Sequence, residues 1–490
     1  MRARYTLGLD IGTTNSKIVL YNERLEVIDS AYTVNRTYRD YLGMAEQQAD
    51  EIYLGVKKII KEIIHRHVEI KDWIQSLSLS SAMHSVLLIS DNYTPLSPVY
   101  TWADNRANDT LKEVRSQGDL DWIYRRTGTP IHSMSPFSKL VWLKSTQSNI
   151  LGEAKKIVGI KEYITYKLTG EWKVDYSIAS ATGLLNLEQL DWDDDVLEII
   201  GINRESLSEL VDTDYLFHQK NLKELEELGL NHQLDIHIGA SDGVLSNVGL
   251  GAINKGEAAL TIGTSGAIRV ISDEIKLDYQ GRTFCYYLKK DTWVIGGAVN
   301  NGGNTLAWLS TLLEETSLDE INARAEEISA GAEGLLFYPY INGERAPLWD
   351  ATATGHFIGI KPIHNKGHFA RAVMEGVMYN IYDVYQILTN LVGDISTIKV
   401  TGGFLKSNLW KRIAANIFNH ELIESNRIES SCLGAVILSM KDNQSDITSM
   451  EQSIKLDQKE VEIYRRTLSV YQLLSKPVLE LHAIKSELVG

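Results

Sequence analysis

The chain has 490 residues, 44 % of them hydrophobic, and a formal net charge of −15 at pH 7. That length exceeds what a single core fills and predicts two domains, while the acidity, with no dense lysine or arginine run, argues against a nucleic-acid partner. Two cysteines, Cys285 and Cys432, are too few for a zinc cluster or a disulfide framework; with no signal-peptide pattern and no apolar run of membrane-spanning length, a cytoplasmic protein with no membrane partner is expected.

In chain order, residues 5–9 and 18–21 read as strands around the turn Asp10-Ile11-Gly12-Thr13-Thr14-Asn15-Ser16-Lys17. Apolar positions at Ile52, Val56, Ile59, Ile60 and Ile63 have helical spacing and predict a helix over 49–67. Residues 74–89 alternate as strands around Ser80-Ser81-Ala82-Met83-His84. Residues 101–190 mix short helices with polar, Gly- and Pro-bearing loops, where a ligand-facing insertion would sit. The texture changes at 236–256, so the expected domains are 1–247 and 248–490. The second half restarts with strands at 258–262 and 268–271 around Gly263-Thr264-Ser265-Gly266. Aligning residues 9–20 with 260–271 keeps leucine, isoleucine, glycine, threonine and valine in register, a short internal repeat. Residues 365–392 are strongly helical. A strand then ends at Gly402-Gly403-Phe404, a helix follows from about Ser407, and the last fifty residues are polar and helical.

The two glycine–threonine turns have the parts of phosphate clamps. Gly12 permits close backbone approach, Thr13 and Thr14 supply hydroxyls, and Lys17 can reach a β- or γ-phosphate. Asp10, at a strand end, can hold Mg²⁺ through water. The plain alternative is a polar hairpin. Gly402-Gly403 and Gly302-Gly303-Asn304 suit either a nucleotide's adenine or ribose or a tight helix entry. Asp242 ends a predicted strand and precedes a predicted helix. A carboxylate there can take the proton of a hydroxyl that attacks phosphorus, or can simply cap the helix. The same stretch, Gly239-Ala240-Ser241-Asp242-Gly243, matches a nucleophile elbow, which would make Ser241 an esterase nucleophile; every Gly-Gly pair lies downstream of it, against the expected oxyanion hole. His364 and His368 read as surface histidines, since the glutamate of a zinc motif is missing between them. Glu257 stands where a P-loop needs lysine. Trp102 as a wall and Asp104 as an acceptor for hydroxyls suit a polyhydroxylated ligand.

Together these residues resemble the FGGY family of carbohydrate kinases from about Tyr5 to about residue 440. Met134-Ser135-Pro136-Phe137-Ser138-Lys139-Leu140-Val141-Trp142-Leu143 matches one family signature, with Ser145 and Thr146 departing from its usual charged ending. Gly355-His356-Phe357-Ile358-Gly359-Ile360 through His368-Phe369 and Ala372-Val373-Met374-Glu375 matches the other, and Gly343-Glu344-Arg345-Ala346-Pro347 is typical. The resemblance implies an α/β protein of two actin-like (ribonuclease H-like) lobes, each with a central mixed β-sheet flanked by helices, closing on ATP and a sugar in the cleft between them. It implies Asp242 as base, and Thr13, Thr14, Asn15 and Lys17 with Gly263 and Thr264 on the phosphates of Mg-ATP. It places Gly303, Gly402, Gly403 and Ser407 near the nucleoside, with Ala307 where a glutamine is often found, and His84, Trp102 and Asp104 in the sugar pocket. Within the family the likeness is greatest to members acting on a sugar acid, whose carboxylate Arg106 would meet; a neutral ketopentose is the runner-up acceptor. A nucleotide-switched chaperone of the same lobes would lack the sugar-kinase signatures. A homodimer is the prior for oligomeric state.

Overall fold

The computed structural model describes residues 4–314, 317–425, 429–440 and 451–489. The elements that position the functional residues are, in chain order, β1 (Tyr5–Ile11), β2 (Asn15–Tyr21), β3 (Val27–Val34), α1 (Ala49–Arg66), β4 (Ile74–Ser81), β5 (Asp235–Ser241) and α2 (Asp242–Leu250). The second half adds β6 (Glu257–Ile262), β7 (Gly266–Ser272), β8 (Thr292–Val299), α3 (Gly303–Leu312), α4 (Lys366–Val392), β9 (Thr397–Thr401), α5 (Asn408–Phe418) and β10 (Leu422–Ser425). It closes with α6 (Ser430–Ser439), β11 (Glu451–Ile454) and α7 (Gln458–Val489). Between β4 and β5, residues 101–190 hold the expected short helices, among them Pro136–Thr146 and Ile160–Thr169, and also short strands that were not foreseen, such as Lys156–Val158 and Lys173–Asp175.

The chain forms two compact units. The first runs to Gly251 and takes back Ser272–Val294 and the stretch holding residues 429–440. The second holds Ala252–Ile271, the described part of Ile295–Asn426 and the C-terminal residues. The chain thus returns to the first unit twice, and the second return brings α6, which packs on α2, β4 and β1.

In the first unit the strand order is β5-β4-β1-β2-β3. The β1–β2 and β2–β3 pairs are antiparallel, while β4 runs parallel to both β1 and β5. Alternation along β1 sets the two faces of the sheet. Leu7, Leu9 and Ile11 join the core with Ile52, Val56, Ile59, Ile60 and Ile63 of α1. Gly8 faces the other way, where a Cβ would come 2.8 Å from the carbonyl oxygen of Cys432 in α6. A second cluster of Val19, Tyr21, Cys432, Leu433 and Val436 holds α6 on that face. Glycines let α6 lie against α2 almost backbone to backbone: a Cβ on Gly249 would overlap the Ser430 carbonyl, and one on Gly434 that of Leu245.

The second unit repeats this plan. Its strands are ordered β8-β7-β6-β9-β10-β11, with β6–β7 an antiparallel hairpin and β9 parallel to β6 and β10. The short repeat in the sequence is thus the visible part of two hairpins that occupy equivalent places in two sheets. The mixed-sheet α/β class agrees with expectation.

Candidate functional site

The carbonyls of the first turn, Gly12 to Asn15, are all taken up by hydrogen bonds. Gly12 N–H donates to the carbonyl of Asn15 at 3.0 Å and closes the hairpin. The Gly12 carbonyl accepts from the Asn35 side chain at 2.7 Å, the Thr13 carbonyl from Gln47 at 2.7 Å, and the Thr14 carbonyl from Asn35 N–H at 2.8 Å. The Thr13 hydroxyl accepts from the indole N–H of Trp102 at 3.0 Å. Thr14 and Asn15 are exposed. Neither Asn35 nor Gln47 carries a motif, so sequence reasoning passed over both.

Asp10 lies on the α6 face of β1. Its Oδ1 accepts from Ser80 Oγ at 2.6 Å, one strand across in register. Burial pushes its carboxyl above the ordinary value; hydrogen bonds from Ser80 and Ser431 work against that, the Glu429 charge adds to it, and Lys17 opposes it. Lys17 is paired with Glu429 at the start of α6. Two carboxylates beside one ammonium leave an excess of negative charge with oxygen donors, which suits Mg²⁺. Among the described residues no group of three or more His, Cys, Asp or Glu could hold a metal by itself. An ion at Asp10 would need further oxygens from a bound phosphate or water.

Asp242 follows the C-terminal end of β5, two strands from Asp10, at the edge of the sheet where open α/β sheets bind ligands. It is the first residue of α2; the capping position belongs to Ser241, so the cap role foreseen for Asp242 is not the one it has. Its Oδ1 accepts from Gly243 N–H at 2.6 Å and its side chain is partly exposed. A bulge in β5 sets this register. Gly239 has φ of +63°, and a Cβ there would overlap the Leu79 carbonyl of β4. Behind the strand end, Lys161 donates to Asp175 Oδ2 at 2.7 Å and to the Ala240 carbonyl at 3.1 Å. The esterase alternative fails here. Ser241 is fully buried and its hydroxyl lies 3.0 Å from that of Ser177, so the accessible residue of the elbow is the aspartate.

The sugar-contact candidates divide. Trp102, Gly12, Thr13 and Met83 line one cavity of the first unit, so the wall and the turn do meet. His84, at φ of +68°, donates from Nδ1 to the Ala181 carbonyl at 2.7 Å and borders an adjoining cavity with Met83 and Lys161. Asp104 and Arg106 were expected to face a ligand. Instead Asp104 is buried and accepts from Ala45 N–H at 3.0 Å and from Arg106 at 2.6 Å. The Arg106 guanidinium also meets Glu46 Oε1 at 2.5 Å and lies 4.7 Å over Trp142. Two carboxylates already compensate its charge, which leaves it a structural task. Lys139 of the first signature is buried beside this pair, donating to the carbonyls of Ser133 and Met134 at 2.8 and 2.6 Å. Ser145 and Thr146 end the same helix on its exposed side, where the signature can vary.

The second unit gathers its own candidates. Gly263 N–H donates to the Ser265 carbonyl at 2.9 Å, and Gly303 N–H to the Gly263 carbonyl at 2.8 Å. Gly302 and Asn304 both donate to the Thr264 carbonyl at 3.2 Å. β9 runs beside β6 and delivers Gly402 at φ of +113°, where a Cβ would overlap the Ile262 carbonyl. Gly263, Thr264 and Gly403 are exposed, and a Cβ on Gly263 or Gly403 would meet open space. Ser407 is buried and caps α5, accepting from Trp410 N–H at 3.2 Å. Ala307 is exposed on α3. His368 is not a surface residue as expected: it is buried, 3.0 Å from Asn365 Oδ1 at the start of α4.

A glycine–threonine hairpin turn in each unit, and a carboxylate at a strand's C-terminal edge, define a phosphotransferase of the two-lobed sugar-kinase class. The N-terminal domain of the FGGY family of carbohydrate kinases matches residues 5–249, and the family's C-terminal domain matches 258–441. The chain belongs to that family. It is 44 % identical to a gluconokinase of Bacillus subtilis (strain 168) over 89 % of this chain and 87 % of that protein. Among solved structures it is similar to a gluconate kinase from Lactobacillus acidophilus, with TM-score 0.93, 34 % identity and coverage of 97 % of this chain and 98 % of the other. A ligand-bound xylulose kinase from Lactobacillus acidophilus matches at TM-score 0.93 and 35 % identity over 97 % and 98 %. Among the described residues no helix is long and apolar enough to cross a membrane.

Proposed function

We propose that this enzyme transfers the γ-phosphoryl group of ATP to the terminal hydroxyl of D-gluconate, giving 6-phospho-D-gluconate and ADP. The observation that carries the acceptor is the 44 % identity with a gluconokinase across most of both chains. In this reading Asp242 accepts the hydroxyl proton as the oxygen bonds to phosphorus and the bond to the bridging oxygen of ADP breaks. Phosphoryl transfer depends more on placement and charge screening than on a strong base, so a partly exposed aspartate suffices. The Thr13–Asn15 amides and Lys17 serve phosphate oxygens in the first unit; Gly263, Thr264, Gly303 and the Gly402–Gly403 turn serve the nucleotide in the second. Mg²⁺ bound at Asp10 would neutralise phosphate charge. Lys17 must then exchange its Glu429 partner for phosphate, and the Trp102 indole fixes the Thr13 hydroxyl beside the turn. Arg106 has no part in this mechanism.

Xylulose is the second acceptor to weigh, since a xylulose kinase matches the fold equally well. A coupled ADP-release assay with gluconate, xylulose, ribulose and glycerol separates the two. Gluconate should give the highest kcat/KM by at least tenfold; a higher value for xylulose would replace the proposed acceptor.

A further inference from the structure

The Gly343-Glu344-Arg345-Ala346-Pro347 segment has no part in the chemistry above, yet it holds a fully buried carboxylate. Glu344 accepts four hydrogen bonds. Its Oε1 takes the backbone N–H groups of Asn300 at 2.5 Å and Arg345 at 2.9 Å. Its Oε2 takes the side-chain amides of Asn301 and Asn380, both at 3.0 Å. Arg345 adds a second tie to the same segment, donating from Nε to Asn300 Oδ1 at 2.8 Å and from its guanidinium to the Val299 carbonyl at 3.1 Å. Asn301 also donates to the Gly343 carbonyl at 2.8 Å, and its Oδ1 accepts from Asn342. Residues 299–301 are thus tied to residues 342–345 by several hydrogen bonds; Asn380 shares the Glu344 carboxylate, and the Asn304 side chain donates to the Asn300 carbonyl at 3.1 Å.

The next residues, Gly302, Gly303 and Asn304, donate their N–H groups to the carbonyls of Gly263 and Thr264. A Cβ on Gly303 would stand 2.8 Å from the Gly263 oxygen. The second glycine–threonine turn is thus held by a segment that Glu344 holds. A buried anion with four donors is costly to create and rigid once made, the sort of group that keeps a backbone in one arrangement. We propose that Glu344 is a positioning residue for the nucleotide: it fixes Asn300–Gly303, which fixes the Gly263–Thr264 turn. This rests on the reading of that turn as a nucleotide site.

The isosteric variant E344Q is informative because the surroundings respond unequally. Gln keeps one oxygen for the Asn300 and Arg345 amides. Asn380 can turn its amide over, since its Oδ1 is buried with no hydrogen-bond partner. Asn301 cannot, because its Oδ1 already serves Asn342. E344Q therefore breaks the Asn301 contact selectively. The expected result is a Kd for a fluorescent ADP analogue raised about tenfold, with KM for the sugar within twofold and Tm within a few degrees of wild type. N301A should weaken nucleotide binding similarly, and the two effects should not add. Nucleotide affinity within twofold of wild type in E344Q, equal losses for nucleotide and sugar, or full additivity with N301A would overturn the assignment. Gly303→Ala separates the two levels. If it leaves the ADP-analogue Kd unchanged, the nucleotide reading of the turn falls and Glu344's role falls with it; if it weakens binding while E344Q does not, Glu344's role alone is overturned.

Discussion

Lys161→Met tests how the edge of the first sheet that carries Asp242 is held. Lys161 and Asp175 have side-chain exposures of 3 % and 0 %, and their 2.7 Å pair sits directly behind the last residues of β5. Burial lowers the Lys161 pKa while the charges of Asp175, Glu162 and Asp10 oppose that, so the ammonium is held by its neighbours. Removing it strands the Asp175 carboxylate in the core, where among the described residues the Ile178 N–H at 2.9 Å remains to compensate. Breaking one side of a buried pair costs about 3–5 kcal/mol. The lost bond to the Ala240 carbonyl adds about 1 kcal/mol. For a unit of this size that corresponds to a fall in Tm of roughly 8–24 °C. Urea titration followed by tryptophan fluorescence gives the loss directly, and activity should fall further because Ala240 lies two residues before Asp242. The double variant Lys161→Met/Asp175→Asn carries no stranded charge and should recover most of the stability. A single variant within about 1 kcal/mol of wild type, or a double variant no better than the single, would refute this reasoning.

Other consequences follow from single contacts. Gly239→Ala places a methyl on the Leu79 carbonyl at positive φ, so it should lose several kcal/mol in the same titration and most of its turnover. Ser241→Ala should keep turnover within a few-fold, since the hydroxyl is buried against Ser177; loss of all activity would revive Ser241 as a reacting group. Lys17→Met should raise KM for ATP about tenfold or more while leaving the sugar KM near wild type, read from initial rates at saturating sugar. Burial pushes the Lys139 ammonium down to about 7. The unfolded chain therefore binds the extra proton between about pH 7 and the ordinary lysine range, and wild-type stability should rise with pH across that window relative to Lys139→Met. Parallel urea midpoints for the two proteins from pH 7 to 9.5 would contradict it.

Much of the fold was legible because it is written locally. The spacing of Ile52, Val56, Ile59, Ile60 and Ile63 gave α1, and the apolar runs around Gly12 and Gly263 gave both hairpins. The strand and helix flanking Asp242 were equally plain, since a register of seven residues suffices to see them. What was not legible depends on residues far apart in sequence. Asn35 and Gln47 hold the carbonyls of the first turn, and Glu429 reaches Lys17 from the far end of the chain. Such partners carry no local pattern. Arg106 shows the opposite error. It was expected to meet the carboxylate of a sugar acid, but its charge is met by Asp104 and by Glu46, which lies on another segment. The elbow around Ser241 was undecidable from pattern alone, because the burial of one residue and exposure of the next is a property of the bulge at Gly239.

The most direct measurement is single-turnover phosphorylation of gluconate by Asp242→Asn, with ATP and gluconate affinities determined on the same preparation. The account predicts a rate lowered by about 10²–10⁴ with both affinities within a few-fold of wild type. A rate near that of the wild-type enzyme would remove the carboxylate from the chemistry and contradict the mechanism.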